Sequence, residues 1–297
     1  MTAQIIDGKS LAQKICSDLK QKISALNGNI PCLAVILVGD DEASRIYVRN
    51  KQKKAAEVGI DCHIIELSDS IGENALLETI DELNNNPEVN GIIIELPLPQ
   101  HLDTQKIIAR ISPDKDVDGF TPYNSGLLSS NHPDAFVSAT PKGVLAMLQS
   151  INVNLCGKHA VVIGRSQIVG RPMGKLLLNH DCTVTITHSH TVDLPSITKT
   201  ADIIVSACGQ PQMIKSSWIK DGAIIIDVGI NRTDGKLCGD IDFDDVKNKA
   251  SYITPVPGGV GPMTIAMLLT NTFEAFSRQK SHPQHHCCHG HDCHCSK

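Results

Sequence analysis

The chain has 297 residues, 41% of them hydrophobic and only 3% aromatic, enough for one large or two modest globular domains. Lys and Arg number 27 against 32 Asp and Glu, a net charge of −5. No basic block offsets this balance, which argues against a protein held to nucleic acid by phosphate contacts. No apolar run approaches the ~20 residues that span a bilayer, and no basic-then-apolar leader opens the chain. The expectation is a soluble cytoplasmic protein with no nucleic-acid or membrane partner.

Leu11, Ile15, Leu19 and Ile23 recur every fourth residue, the stripe of an amphipathic helix. Residues 32–39 (CLAVILVG) are a continuous apolar run ending in Gly, as in a buried strand. Asp41 can cap a helix running to Val58, where Gly59 stops it. Further strands are expected at 61–67 and 91–96, helices at 74–83 and 104–111, and a loop at 112–120. Pro141 suits the first helical position, with a helix over 142–151. A second series then places strands at 159–164, 182–187, 202–207, 223–228 and 252–256, and a last helix at 263–276. The fold class is α/β, with two α/β domains joined near residue 140, the second Rossmann-type, and a ligand cleft between them.

Seven cysteines (Cys16, Cys32, Cys62, Cys156, Cys182, Cys208, Cys238) are scattered through the body, several beside apolar runs. They read as buried free thiols of a reducing compartment rather than a disulfide framework. The other four lie in the last eleven residues, among histidines.

Several segments carry polar groups where strands end. Gly164-Arg165-Ser166-Gln-Ile-Val-Gly170 follows a strand and precedes a helix, so backbone N–H groups can approach a phosphate. The spacing is not GxGxxG, and a tight turn without ligand is the alternative. The next strand ends Thr187-His-Ser189-His190-Thr191, without the acid that an NAD site offers the ribose. A site with Arg165 and Ser189 instead suits the 2′-phosphate of NADP, although His190 could belong to a solvated loop. Tyr47 and Lys51 share one helix face with Ser44, which periodicity alone reads as solvated. Glu95 interrupts an apolar strand at its C-terminal end, where α/β sheets bind ligands, or it is an edge charge. Asp116 and Asp118 fall short of EF-hand spacing and are turn acids or substrate acceptors. The Pro255–Met263 stretch (PVPGGVGPM) suggests backbone lying close to a flat ligand, or a rigid turn.

Together, ASRIYVRNKQKKAAEVGI (43–60), GIIIELPLP (91–99), DKDVDGF (114–120), TPKGVL (140–145), VVIGRSQIVGRPM (161–173) and ITPVPGGVGPMTIAML (253–268) form an ordered set. The set resembles the bifunctional methylenetetrahydrofolate dehydrogenase/methenyltetrahydrofolate cyclohydrolase family, from about residue 5 to 276. The resemblance implies oxidation of methylenetetrahydrofolate by hydride transfer to NADP, then hydrolysis of the methenyl cation to formyltetrahydrofolate in one cleft. By motif, Lys51 handles protons in the cyclohydrolase step, Tyr47 covers the folate ring, and Asp118 hydrogen-bonds the pterin. Pro257, Gly258 and Gly259 match the loop against the folate, and Gly164, Arg165, Ser166, Ser189 and Ile230 match cofactor-binding positions. The resemblance also implies a homodimer through the nucleotide domain. Residues 263–280 would return to the first domain (1–140), leaving 141–262 as the Rossmann domain.

Glu95 departs from the Gln that the family usually carries there. An ionised carboxylate within ~4 Å of a lysine favours the charged form over the free base. The expectations are a dehydrogenase with a weakened or lost cyclohydrolase, or Glu95 acting as the base itself. Rival readings are a metal-binding protein on an inherited scaffold and a different Rossmann dehydrogenase of the shikimate type. Tyr47, Lys51 and Asp118 speak against the first, and the Pro-Gly-Gly loop with the DVDG segment against the second.

Residues 281–297 (SHPQHHCCHGHDCHCSK) hold six of the thirteen histidines and four of the eleven cysteines and lie outside the resemblance. The composition cannot pack a core, so a disordered tail is expected. It does offer metal ligands, among them His285, His286, Cys287, Cys288, Cys293 and Cys295. No spacing matches a structural zinc motif, and an extension without function is the alternative.

Overall fold

The computed structural model describes residues 2–281 except 27 and 234. The chain opens with β1 (Gln4–Ile5) and α1 (Gly8–Ser24), then β2 (Cys32–Val38), α2 (Glu42–Val58) and β3 (Asp61–Leu67). Next come α3 (Glu73–Asn85), β4 (Gly91–Ile94), α4 (Thr104–Arg110), α5 (Pro122–Ser129) and α6 (Ala139–Ser150). The second half runs through β5 (His159–Ile163), α7 (Gly170–Asn179), β6 (Thr183–Thr187), α8 (Leu194–Thr198) and β7 (Ile203–Ser206). It continues with β8 (Ile224–Asp227), a hairpin of β9 (Asn231–Thr233) and β10 (Lys236–Cys238), α9 (Phe243–Val246), β11 (Tyr252–Ile253) and α10 (Val260–Ser281). No described helix is long and apolar enough to cross a membrane.

Two parallel sheets organise these elements: β3-β2-β4, and a six-stranded sheet β1-β11-β8-β7-β5-β6. Every residue of β2 is buried, because helices cover both faces and the strand can be apolar throughout. In both sheets the first strand of the series has neighbours on either side, so the order reverses beside β2 and beside β5. Ligands of open α/β sheets bind outside the strand C-termini at such reversals. One hydrophobic cluster, including Leu33, Met147, Val162 and Met263, joins the two sheets through α6 and α10.

Helix α2 follows its expected bounds. Asp41 accepts from the Ser44 backbone N–H at 2.7 Å, and Gly59 ends the helix at φ 92°. Four features differ from expectation. Helix α6 starts at Ala139, so Pro141 is its third residue, still in the first turn where an N–H has no helical partner. Prolines shorten β4 and β11, which end before Pro97 and Pro255. Helix α5 lies beyond the expected elements, capped by Thr121 with Pro122 at its first position. Finally, β1 pairs with β11, so residues 4 and 5 lie in the second sheet, against the expected assignment of 1–140 to the first unit. Its backbone groups are paired there with Tyr252 and Ile253, which a two-residue strand does not announce in sequence.

Candidate active site

The end of β4 and the middle of α2 bring two charges together. Lys51 Nζ donates to Glu95 Oε2 at 2.5 Å, with only 14% and 11% of the two side chains exposed. Glu95 is held by its backbone N–H, which donates to Ile36 O at 2.9 Å and carries it just past the sheet edge. The approach expected from sequence is therefore present, and direct. Lys51, Glu95 and Asp118 line one cavity of about 170 Å³, together with Phe120, Thr140 and Thr264. Thr140 and Thr264, from α6 and α10, bond each other across it at 2.9 Å.

The two acids of the 114–120 loop divide. Asp116 is buried and accepts from Phe120 N at 3.1 Å, Thr121 N at 2.9 Å and Asn124 Nδ2 at 2.9 Å, so it is the turn acid. Asp118 instead faces the cavity. It keeps a partly accessible surface, but the surrounding protein crowds out water. That burial pushes its carboxyl from 3.8 up to about 7, with Lys51 pulling down and Asp116 and Glu95 adding to the rise.

Tyr47 lies one helical turn before Lys51 and is 43% exposed. It lines an adjoining hollow of about 460 Å³, shared with Lys9, Gly261, Pro262 and Ile265, rather than the Lys51 cavity. Helices α2 and α10 border both spaces. The Pro257-Gly258-Gly259 loop leads into α10. Gly258 has φ +102° and its carbonyl accepts from Lys9 N at 3.0 Å. A Cβ on Gly259 would lie 2.5 Å from Pro255 O, so the close backbone turn admits only glycine there.

The strand-to-helix turn from Gly164 to Gly170 is equally tight. Gly164 has φ +118°, and a Cβ there would lie 2.3 Å from Ala207 O; one on Gly170 would lie 2.1 Å from Gly164 O. The Ser166 hydroxyl accepts from the N–H groups of Val169 and Gly170 at 3.2 and 3.3 Å, which fixes the turn. Arg165, Ser166 and Ser189 are exposed. The Gly164 N–H donates to Thr187 O at 2.9 Å, so the loops after β5 and β6 are neighbours. Crowding, and then the Arg165 and His190 charges, hold the His188 imidazole below its usual pKa. Ile230 is 52% exposed and stands 4.0 Å from where a Gly261 Cβ would be. Within the turn, Ile168 and Val169 reach the other side and line the Lys51 cavity. The nucleotide turn and the charged pair thus wall one space.

A dinucleotide fits this turn. It offers close backbone approach and sits at the strand-order reversal, while Arg165 supplies a cation and Thr187–Thr191 hydroxyl groups but no carboxylate. This is the donor set for a 2′-phosphate rather than a free ribose hydroxyl.

Sequence reasoning missed the carboxylates that support the turn from behind. Asp240 accepts from the N–H groups of Cys208 at 2.8 Å and Gln210 at 3.0 Å and from Ser206 Oγ at 3.0 Å, holding the loop against which Gly164 packs. Asp227 accepts from Gly229, Asp240 and Ile241 N–H groups at 2.9 to 3.0 Å, yet burial pushes it up to about 7. The signal available was an acid closing an otherwise apolar strand (IIID). The tail positions His285, His286, Cys287, Cys288, Cys293 and Cys295 lie outside the described residues.

Comparison with known proteins agrees with this geometry. Residues 6–118 match the catalytic domain of tetrahydrofolate dehydrogenase/cyclohydrolase, and residues 138–280 its NAD(P)-binding domain. A protein of Halalkalibacterium halodurans named Bifunctional protein FolD is 53% identical over 277 residues, 93% of this chain and 99% of that protein. The crystal structure of the bifunctional FolD enzyme of Campylobacter jejuni superposes with a TM-score of 0.92 at 47% identity, covering 93% and 99% of the two chains. A Trypanosoma brucei methylenetetrahydrofolate dehydrogenase-cyclohydrolase, solved with NADP cofactor and inhibitor, gives 0.90 at 39% identity over 94% and 99%. The chain belongs to the tetrahydrofolate dehydrogenase/cyclohydrolase family.

Proposed function

We propose that one cleft oxidises methylenetetrahydrofolate with NADP and then hydrolyses the methenyl product to formyltetrahydrofolate. The observation that carries this reading is the Lys51–Glu95 pair, 2.5 Å apart in a cavity also walled by Ile168 and Val169 of the nucleotide turn. The relatives named bifunctional, at 51–53% identity, do not favour the reading in which the second activity is lost.

NADP, when bound, accepts the hydride from the methylene carbon. Residues of this chain supply orientation for that step, and no side-chain acid or base is needed. Tyr47 and the Pro257-Gly258-Gly259 loop flank the folate, and Asp118 bonds the pterin. Gly164, Arg165, Ser166, Ser189 and Ile230 hold the dinucleotide. Hydrolysis does require proton handling. Lys51 and Glu95 work as a unit. The pair takes one proton from the attacking water and returns one to the ring nitrogen as its bond to the former methenyl carbon breaks, and one proton leaves to solvent overall. Glu95 is the direct proton acceptor in this scheme, which accommodates a carboxylate at that position.

The test is to assay the two steps separately. Lys51→Met lowers the cyclohydrolase rate by about 10²–10⁴-fold while hydride transfer persists. Glu95→Gln changes the cyclohydrolase rate and its pH profile, with less effect on the dehydrogenase. An unchanged cyclohydrolase rate and profile in Glu95→Gln removes Glu95 from the mechanism.

The chain also forms a homodimer through its nucleotide domain. Strand β6 is the end strand of its sheet; its own Ile186 is 40% exposed, and Leu178 before it and Val192 after it are 61% and 86% exposed. An unpaired strand edge flanked by apolar side chains supports pairing with a second copy.

A further inference from the structure

Behind the nucleotide turn lies a carboxylate that neither reaction uses directly. Asp240 is fully buried, and hydrogen-bond donors converge on it. They are the N–H groups of Cys208, Gly209 and Gln210 at 2.8, 3.3 and 3.0 Å, Ser206 Oγ at 3.0 Å, the Cys208 thiol at 3.3 Å and Asn231 Nδ2 at 2.9 Å. A buried charge persists only where such donors satisfy it, and every donor is fixed in return. These come from two segments: residues 206–210, which leave β7, and Asn231, which opens β9 shortly after β8. Asp227, the last residue of β8, joins the set by accepting from the N–H groups of Gly229 at 2.9 Å and of Asp240 itself at 3.0 Å. A Cβ on Gly229 would lie 2.3 Å from Asp240 Oδ1, so only glycine lets the second segment come this close.

Both segments wall the place where cofactor and folate meet. Ala207 O packs against Gly164 of the nucleotide turn, 2.3 Å from where a Cβ would be. Ile230, between Gly229 and Asn231, is 52% exposed and stands 4.0 Å from the position of a Gly261 Cβ. Gly261 in turn lines the hollow of Tyr47. The Asp240 carboxylate therefore ties a turn that approaches the dinucleotide to a side chain that reaches the folate hollow.

We propose that Asp240 is a positioning residue for hydride transfer, gripping the 206–210 and 229–231 segments so that Ile230 and the Gly164 turn keep one fixed spacing around the reacting ring of the dinucleotide. This role rests on the NADP-dependent oxidation proposed above for the cleft. Asp240 itself gains and loses no proton in it. Hydride transfer depends on approach and angle, and a misplacement of about 1 Å costs on the order of 10²-fold. Hydrolysis is spared, because Lys51 and Glu95 lie with the other sheet, on α2 and just past β4.

The experiment compares the full chain with Asp240→Asn, which keeps the shape but turns one acceptor oxygen into an NH2 group facing other donors. Three quantities are read: NADP affinity by calorimetry without folate, the first-order constant of hydride transfer in a single turnover at saturating ligands, and the cyclohydrolase constant on added methenyl substrate. A first-order constant does not depend on how much of the protein is folded, so a merely structural role leaves it unmoved. In Asp240→Asn the hydride constant falls about 10²-fold, NADP binding weakens about tenfold or more, and the cyclohydrolase constant falls far less. An unchanged hydride constant, an equal fall in both constants, or unchanged NADP affinity each overturns the proposal. Where Asp240→Asn does not fold, Asn231→Ala removes a single donor from the same carboxylate and must move the three readouts in the same directions, with the same results overturning the proposal. A parent chain that oxidises no methylenetetrahydrofolate fails the functional reading itself, whereas the NADP affinities still test Asp240.

Discussion

Asp118 is the residue whose chemistry costs the fold most visibly. In the folded chain its carboxyl sits at about 7 against an ordinary 3.8, because ionising it in the cavity is unfavourable. Between those values the folded state holds a proton that the unfolded state has lost, so the group's contribution to stability falls as pH rises from about 4 to 7. Asp118→Asn removes this dependence. Denaturant unfolding should show the variant gaining on the parent across that window, while its KM for folate rises about tenfold or more, the value of one charged hydrogen bond. Asp227 titrates in the same window in both proteins, so only the difference between them reports Asp118. At Gly164 the demand is steric. An Ala there meets Ala207 O at 2.3 Å from a backbone at φ +118°. Gly164→Ala should therefore weaken NADP binding about tenfold or more, from roughly 1–3 kcal/mol of strain, and leave the cyclohydrolase assay on added methenyl substrate nearly intact.

Among the elements, α10 ties the molecule together. Its Asn271 is fully buried and donates to Val117 O at 2.7 Å and Val137 O at 2.9 Å, while Lys142 Nζ donates to its Oδ1 at 2.7 Å. Asn271→Leu strands two carbonyls and should cost roughly 2–4 kcal/mol in thermal or urea unfolding. Gly143 lets α6 approach, since a Cβ there would lie 2.9 Å from Met263 Cβ. Much of this architecture was legible in sequence because the core strands are continuous apolar runs and Asp41 and Gly59 are strong helix signals. Strand β1 was not, because a two-residue strand has no periodicity and its partner is distant in the chain. Helix α5 could have been read from Thr121-Pro122. At the site, the residues alone left Tyr47–Lys51 as a solvated face. A helical period reports which residues share a side, not that Glu95 meets that side from another strand. The six motifs taken together supplied that juxtaposition, and Asp227 and Asp240 escaped because they act on backbone loops rather than on ligand.

At the scale of the whole molecule, two sheets turn their strand-order reversals toward one cleft, and α6 and α10 lock them around it. β6 is the end strand of its sheet, and Leu178→Glu combined with Val192→Glu should convert a dimer to a monomer in sedimentation without unfolding it, as both side chains are more than half exposed. The cleft carries both reactions, with Lys51 and Glu95 paired within it. The measurement that reaches it most directly is a time course of the full chain with methylenetetrahydrofolate and NADP, following reduced NADP and the methenyl species separately. Reduced NADP should form steadily, with methenyl absorbance confined to a brief lag. Accumulation of methenyltetrahydrofolate that decays only at its uncatalysed rate would contradict it.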